Sequence, residues 1–210
     1  MGQTQSNPVR DRSGKEVGSR NRELAKKEAG LRRDLSQQSQ TAWAQNNKAK
    51  AKELSNASKV HQTRMEAYNA LAAAEIFRAN NPIYHHSTRS GASFLFGLFS
   101  GTSVASALAE IDLHGLHVTE ALPMVQEHLR LCRSNGVGRT TIITGKGLHS
   151  VDKVAKIRPQ VEKMLAEERV KVVREAGKVN EGAFVVEFAE EGEEVGWAGW
   201  FLAGLFGQKA

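Results

Sequence analysis

Between Ile111 and Phe188 short β-branched runs alternate with stretches of helical period, and that alternation limits what these 210 residues can fold into more than any other feature. Ile111–Leu113 reads as a strand entering a turn at Gly115. Thr119 is placed to cap a helix over Glu120–Cys132, with Pro123 in its first turn, where a missing amide proton costs little. Asn135-Gly136 ends that helix and Arg139–Thr144 resumes as a strand, followed by the loop Gly145-Lys146-Gly147. Pro159 sits just inside a second helix running to about Glu168, and Val170–Val173 and Ala183–Phe188 are two further strands. The order β-α-β-α-β-β predicts a compact α/β two-layer sandwich, two helices against one mixed sheet, over residues 110–190.

The flanking segments differ in kind. Residues 1–18 hold Pro8, Gly14 and Gly18 among polar and basic groups and read as a flexible basic arm. Residues 19–81 turn to helix formers, with Leu24, Leu31 and Leu35 on one stripe and Ala51, Leu54, Ala57, Met65, Tyr68, Leu71 and Ala72 on another. Gln45-Asn46-Asn47 separates two helices and Asn80-Asn81-Pro82 ends the second, which predicts an extended helical hairpin. Residues 82–109 form an apolar, glycine-containing linker in which Phe94, Phe96 and Phe99 would pack on the domain or a partner. Residues 191–210 form a second aromatic segment around Trp197, Trp200 and Phe206. Serine and glycine interrupt the apolar linker well short of the roughly 20 residues that cross a bilayer, so no transmembrane segment is expected.

Charge narrows the partners. Residues 1–90 carry 16 Lys/Arg against 8 Asp/Glu, and residues 118–180 carry 12 against 7, so two basic regions flank a nearly uncharged stretch. Such fields attract nucleic acid or an anionic membrane surface. Cys132 is the only cysteine, which excludes an intrachain disulfide and suits the reducing cytoplasm or nucleus. Met1-Gly2-Gln3-Thr4-Gln5-Ser6 fits the pattern for myristoylation of Gly2, and Arg10, Arg12, Lys15, Arg20 and Arg22 would add attraction to anionic lipid, a route to peripheral membrane contact.

Two motifs carry the chemistry. Ile111-Asp112-Leu113-His114-Gly115, then Thr144-Gly145-Lys146-Gly147-Leu148-His149-Ser150, resemble the paired signatures of the Smr domain, with Ile111 where the family has Leu. The similarity continues through the Pro159 helix to the Gly182–Phe188 strand. Residues 19–81 likewise resemble the helical domain of unknown function that often precedes Smr in eukaryotic proteins, with Asn46-Asn47 in place of its usual Gly-Asp turn. The resemblance implies a fold like the C-terminal domain of a bacterial translation initiation factor, and RNA cleavage, with RNA surveillance and a ribosome or RNA-processing partner as the setting.

The residue types suit that chemistry. Cleavage by a 2'-hydroxyl needs a base, an acid for the leaving oxygen and positive or hydrogen-bonding groups around the phosphate. His114 is the candidate for proton transfer, and Asp112 can orient a base, hold a nucleotide sugar or act through an attacking water, the two lying on one side of a strand at a spacing of two. Gly145 and Gly147 allow close backbone approach and amides open to phosphate, Lys146 adds charge, and His117, His149 and Ser150 are candidate contacts. Arg139, Lys153, Lys156 and Arg158, with Arg130 and Arg133, are candidates for the nucleic-acid backbone. His114, His117 and His149 lack a close-spaced ligand pattern, so neither a metal nor another cofactor is expected. A noncatalytic nucleic-acid or protein-interaction module and a structure-specific DNA nuclease are the alternatives to an endoribonuclease.

Overall fold

The structure is a computed structural model and describes residues 9–10, 14–84, 104–147, 150, 152–168, 170–173 and 182–188. Gly2, the Phe94–Phe99 cluster, Leu148, His149 and the aromatic segment 191–210 lie outside the described residues. The elements are α1 (Ser19–Ala44), α2 (Lys48–Asn80), α3 (Val104–Ala107), β1 (Glu110–Asp112), α4 (Val118–Ser134), β2 (Arg139–Ile143), α5 (Ile157–Glu167), β3 (Lys171–Val173) and β4 (Ala183–Glu187). The β-α-β-α-β-β sandwich preceded by a helical hairpin is therefore the fold.

α1 and α2 form the hairpin, and the residues that let them meet are small: Ala25, Ala42, Ala51, Ala72 and Ala73 are buried. Alanine gives little apolar area, so side chain to backbone bonds supplement it, Ser39 Oγ donating to Ala51 O at 2.8 Å and Ser58 Oγ to Arg32 O at 3.0 Å. Asn46 takes a left-handed φ of 60° at the turn, and the Asn47 side chain caps α2 by accepting from Lys50 N–H at 3.1 Å.

The sheet runs β1-β2-β4-β3, with β1 parallel to β2 and the other pairs antiparallel. One face is covered. Thr140, Ile142, Phe184 and Val186 point into the core, where α4 supplies Val125, Leu129 and Cys132 and α5 supplies Ile157, Val161 and Leu165. Each fully buried side chain such as Leu129 or Ile142 contributes about 1.5–3 kcal/mol of transfer free energy. The same core takes Ala73, Phe77 and Tyr84 from the end of the hairpin, so the two parts share one apolar cluster. Residues 104–109, expected as the end of a linker, contain α3 and send Ala107 and Leu108 into that cluster.

Two local details differ from expectation. α4 begins at Val118, with His117 at its N-cap and Glu120 Oε2 accepting the His117 N–H at 2.9 Å, where Thr119 was expected to cap. That earlier start carries Pro123 past the first turn, where its ring nitrogen gives no proton to the carbonyl four residues back. No helix among the described residues is long and apolar enough to cross a membrane.

A charged pair ties hairpin to sandwich. Arg22 Nη1 and Nη2 donate to Glu120 Oε1 and Oε2 at 2.7 and 2.6 Å, and Arg22 also reaches Asn69 Oδ1 at 2.9 Å. Burial alone would raise the Glu120 carboxyl, but hydrogen bonds from Arg22 and His117 prevail and hold it at about 2. A folded-state value below the ordinary 4.5 means stability that is complete above that pH and lost as pH falls towards 2. Glu120→Gln is expected to cost about 1 kcal/mol at neutral pH after allowance for solvent screening. Thermal melts of both proteins across the acid range should show the gap closing, and a gap independent of pH would mean that the charge on Glu120 contributes nothing.

Candidate active site

Because β1 and β2 are adjacent and parallel, the segments leaving their carboxyl ends lie side by side; Asp112, last in β1, is in register with Ile143, last in β2. The two motifs, about thirty residues apart in sequence, therefore meet at one end of the sheet. Gly145 lies against His114, and a β-carbon on it would come within 3.2 Å of His114 Cβ. The Gly145 φ of 75° suits glycine as well.

Asp112 and His114 are joined by a tight turn and not by strand pleating, since β1 ends at Asp112. Asp112 Oδ1 accepts the backbone N–H of His114 at 2.9 Å and lies 2.8 Å from His114 Nδ1. Both side chains are largely covered, at 16% exposure for His114 and 14% for Asp112. An ionised carboxylate only accepts, so this contact assigns the proton to Nδ1 and leaves Nε2 of the neutral ring to take one up. Glu110, two residues back on β1, has its carboxyl pushed above the usual range, first by burial and then by the Asp112 charge.

The loop after β2 is built differently from expectation. The N–H groups of Thr144 and Gly145 both donate to Gly182 O, at 2.7 and 3.0 Å. The Gly145 amide is thus engaged within the fold instead of open to a phosphate, and what Gly145 supplies is room beside His114. Gly147, at φ 74°, has no such room: a β-carbon there would sit 2.3–2.5 Å from the Val154 and Ala155 backbone. Ser150 closes the same loop, its Oγ accepting from Val154 N–H at 2.8 Å and lying 2.7 Å from Gly147 O. Gly147→Ala is expected to destabilise the protein by about 2 kcal/mol through left-handed strain alone, more where the loop is forced off Val154. A urea midpoint unchanged from wild type would show that the loop is not pinned there.

The basic candidates divide. Lys146 and Lys153 are exposed on this loop, Lys156 stands just before α5 and pairs with Asp152 at 2.9 Å, and the Arg158 guanidinium stacks on the Phe184 ring at 4.6 Å. Arg139 opens β2, about 13 Å of strand away from the Ile143 end, with its Nη1 3.9 Å from Glu187. Arg130 and Arg133 pair with Glu127 and Glu168. His117 is more than half exposed, with Nδ1 3.1 Å from Arg22 Nη1. Among the described residues no group of three or more His, Cys, Asp or Glu side chains is placed to hold a metal ion.

Sequence reasoning missed the hairpin's share of this site. Asn80 Nδ2 donates to His114 O at 2.9 Å, and the Asn81 side chain makes two bonds of 2.7 Å to the Asp112 backbone. The local signal, two asparagines before a proline, predicts a helix stop and says nothing of these partners.

The Smr domain family matches residues 111–189, and a domain of unknown function, DUF1771, matches residues 19–81. A Smr domain-containing protein of Schizosaccharomyces pombe is 38% identical over 165 residues, which are 79% of this chain and 68% of that protein. Endonuclease NBR9 of Saccharomyces cerevisiae is 35% identical over 183 residues, 86% of this chain and 66% of that protein. This chain thus spans about two thirds of the length of either yeast protein. The solution structure of the Smr domain of NEDD4-binding protein 2 is 30% identical and covers 41% of this chain and 91% of its own, with a TM-score of 0.33.

Proposed function

The chain belongs to the Smr domain proteins in which a DUF1771 helical domain comes first, and on that premise we propose that it is a metal-independent endoribonuclease whose centre is the Asp112–His114 pair. The observation that carries this reading is the Asp112 carboxylate 2.8 Å from His114 Nδ1, with Gly145 packed close against the His114 β-carbon. In the step proposed, His114 Nε2 takes the proton of a ribose 2'-hydroxyl and the 2'-oxygen attacks the adjacent phosphorus. The bond to the 5'-oxygen breaks, and that oxygen takes a proton from water or from a second group on the loop after β2. The products are a 2',3'-cyclic phosphate and a 5'-hydroxyl.

The nuclease class is supported by the yeast relative named an endonuclease. RNA is preferred over DNA because only RNA carries the internal 2'-hydroxyl nucleophile that an imidazole base can activate. Lys146, Lys153, Lys156 and Arg158, with His149 and Ser150, are the groups proposed to line the polynucleotide path, with affinity that falls steeply with salt. RNA surveillance in the cytoplasm is the setting proposed.

The test incubates the purified chain with single-stranded RNA, duplex RNA and branched DNA in the presence of a chelator. RNA cut to 2',3'-cyclic ends, with no cutting where a 2'-O-methyl group replaces the hydroxyl, is the expected result. Binding without cleavage, in chelator or with divalent ions added, would replace this reading with that of a noncatalytic binding module.

A further inference from the structure

β1 is an edge strand, and its open edge falls at the catalytic motif. Leu113 turns its N–H to β2, donating to Ile143 O at 2.8 Å, so strand alternation turns the N–H and C=O of Asp112 away from the sheet. An edge of this kind normally frays or takes water. Here the side chain of Asn81 stands in for a further strand: Asp112 N–H donates to Asn81 Oδ1 at 2.7 Å, and Asn81 Nδ2 donates to Asp112 O at 2.7 Å. The second Asn81 amide proton goes to Phe77 O at 2.9 Å, and the residue is only 7% exposed. Asn80 adds a bond to His114 O. Three hydrogen bonds from the end of α2 therefore fix the backbone of the two residues that carry the proposed chemistry, and Phe77, buried in the shared core, anchors the end that makes them.

We propose that Asn81, assisted by Asn80, is a positioning group for the Asp112–His114 pair, so that the helical hairpin completes the active centre of the Smr domain. The inference rests on the reading of that pair as the cleavage site. The physical reason is that the Asp112 carboxylate reaches His114 Nδ1 from a turn whose two ends are these peptide groups. A shift of either peptide moves the carboxylate off the ring, and a misplacement of about 1 Å can cost up to about a hundredfold in rate. Asn81 is buried and Asn80 partly so, and neither needs to touch RNA to act in this way.

The experiment compares wild type, Asn81→Ala and Asn80→Ala in the full chain. Three measurements are made: steady-state kinetics on single-stranded RNA for kcat and KM, affinity for a 2'-O-methyl RNA, and amide hydrogen exchange residue by residue. Asn81→Ala is expected to lower kcat by about 10- to 100-fold, as misplacement of catalytic groups by about 1 Å can do, with KM and affinity unchanged within about twofold. Asn80→Ala, which removes one bond, is expected to lower kcat by about fivefold and guards against the first variant failing to fold. In Asn81→Ala the Asp112 amide should exchange faster while Ile142, central in the sheet, is unaltered. Exchange at Asp112 no faster than in wild type overturns the proposal, as does faster exchange with unchanged kcat. If wild type cuts nothing while Asp112 exchange is selectively accelerated, the hold of Asn81 on the pair stands and the nuclease reading alone fails.

Discussion

Replacing His114 with alanine is expected to slow RNA cleavage by about 10²- to 10⁴-fold, the range for loss of a positioned acid or base, while affinity for a 2'-O-methyl RNA changes by less than about threefold, since phosphate contacts made elsewhere supply most of the binding. The separation follows from geometry. The His114 ring is held by Asp112, its β-carbon lies against Gly145, and its side chain is mostly covered. It therefore offers little surface for phosphate contact but one nitrogen for proton transfer. Asp112→Asn provides the finer comparison. An asparagine oxygen still accepts from the His114 N–H and from Nδ1–H, so the ring orientation survives and only the charge that stabilises the imidazolium is lost. Its rate should fall between those of wild type and His114→Ala. Single-turnover cleavage measures the rates and fluorescence anisotropy the binding. A His114→Ala protein that cuts at the wild-type rate would remove the pair from the chemistry.

The convergence of the two motifs was legible because it needs only local patterns and one topological rule. A strand, a helix and a second parallel strand bring the carboxyl ends of β1 and β2 together, and the Ile111–His114 and Thr144–Gly147 segments sit at those ends. Helix and strand periods were enough to place both. The contacts that hold the site could not be read in that way. Asn81 meets Asp112 across 31 residues and Arg22 meets Glu120 across 98, and asparagine after a helix or arginine on a helix is common for reasons unrelated to such partners. The Gly145 amide illustrates a different limit. Glycine after a strand allows an open amide equally with one turned into the fold, and only the approach of Gly182 decides between them. Pro123 shows how a shift of one or two residues in a helix start changes what a proline costs.

Acid is expected to weaken the fold through His128, a residue whose sequence position on α4 gives no hint of it. The ring is fully buried, with Nε2 2.7 Å from Thr140 Oγ1. The Thr140 hydroxyl donates its own proton to Leu108 O at 2.8 Å, so its oxygen receives the Nε2 proton and Nδ1 carries the lone pair. Nδ1 is buried and finds no hydrogen-bond partner among the described residues. A second proton would place a charge there without a counter-ion, and burial accordingly pushes the His128 pKa from 6.5 down to about 4. The groups packed on the ring do not help. Tyr84, 5.6 Å away, is raised further above its ordinary value by burial, and Cys132, with Sγ 3.6 Å from Nε2, is pushed up to about 11, again by burial first. Both stay neutral throughout the acid range. Since the unfolded chain binds this proton more readily, the stability associated with a neutral His128 is complete above pH 6.5 and is lost as pH falls towards 4. The full shift corresponds to about 3 kcal/mol, a large share of the stability of a domain this size. Urea unfolding of wild type at pH values on either side of that window should show a loss of this order. His128→Leu, which leaves the Thr140 donor bond to Leu108 in place, should lose correspondingly less. Equal losses in the two proteins would mean that the folded state accepts the proton, and that the surroundings of Nδ1 accommodate the charge after all.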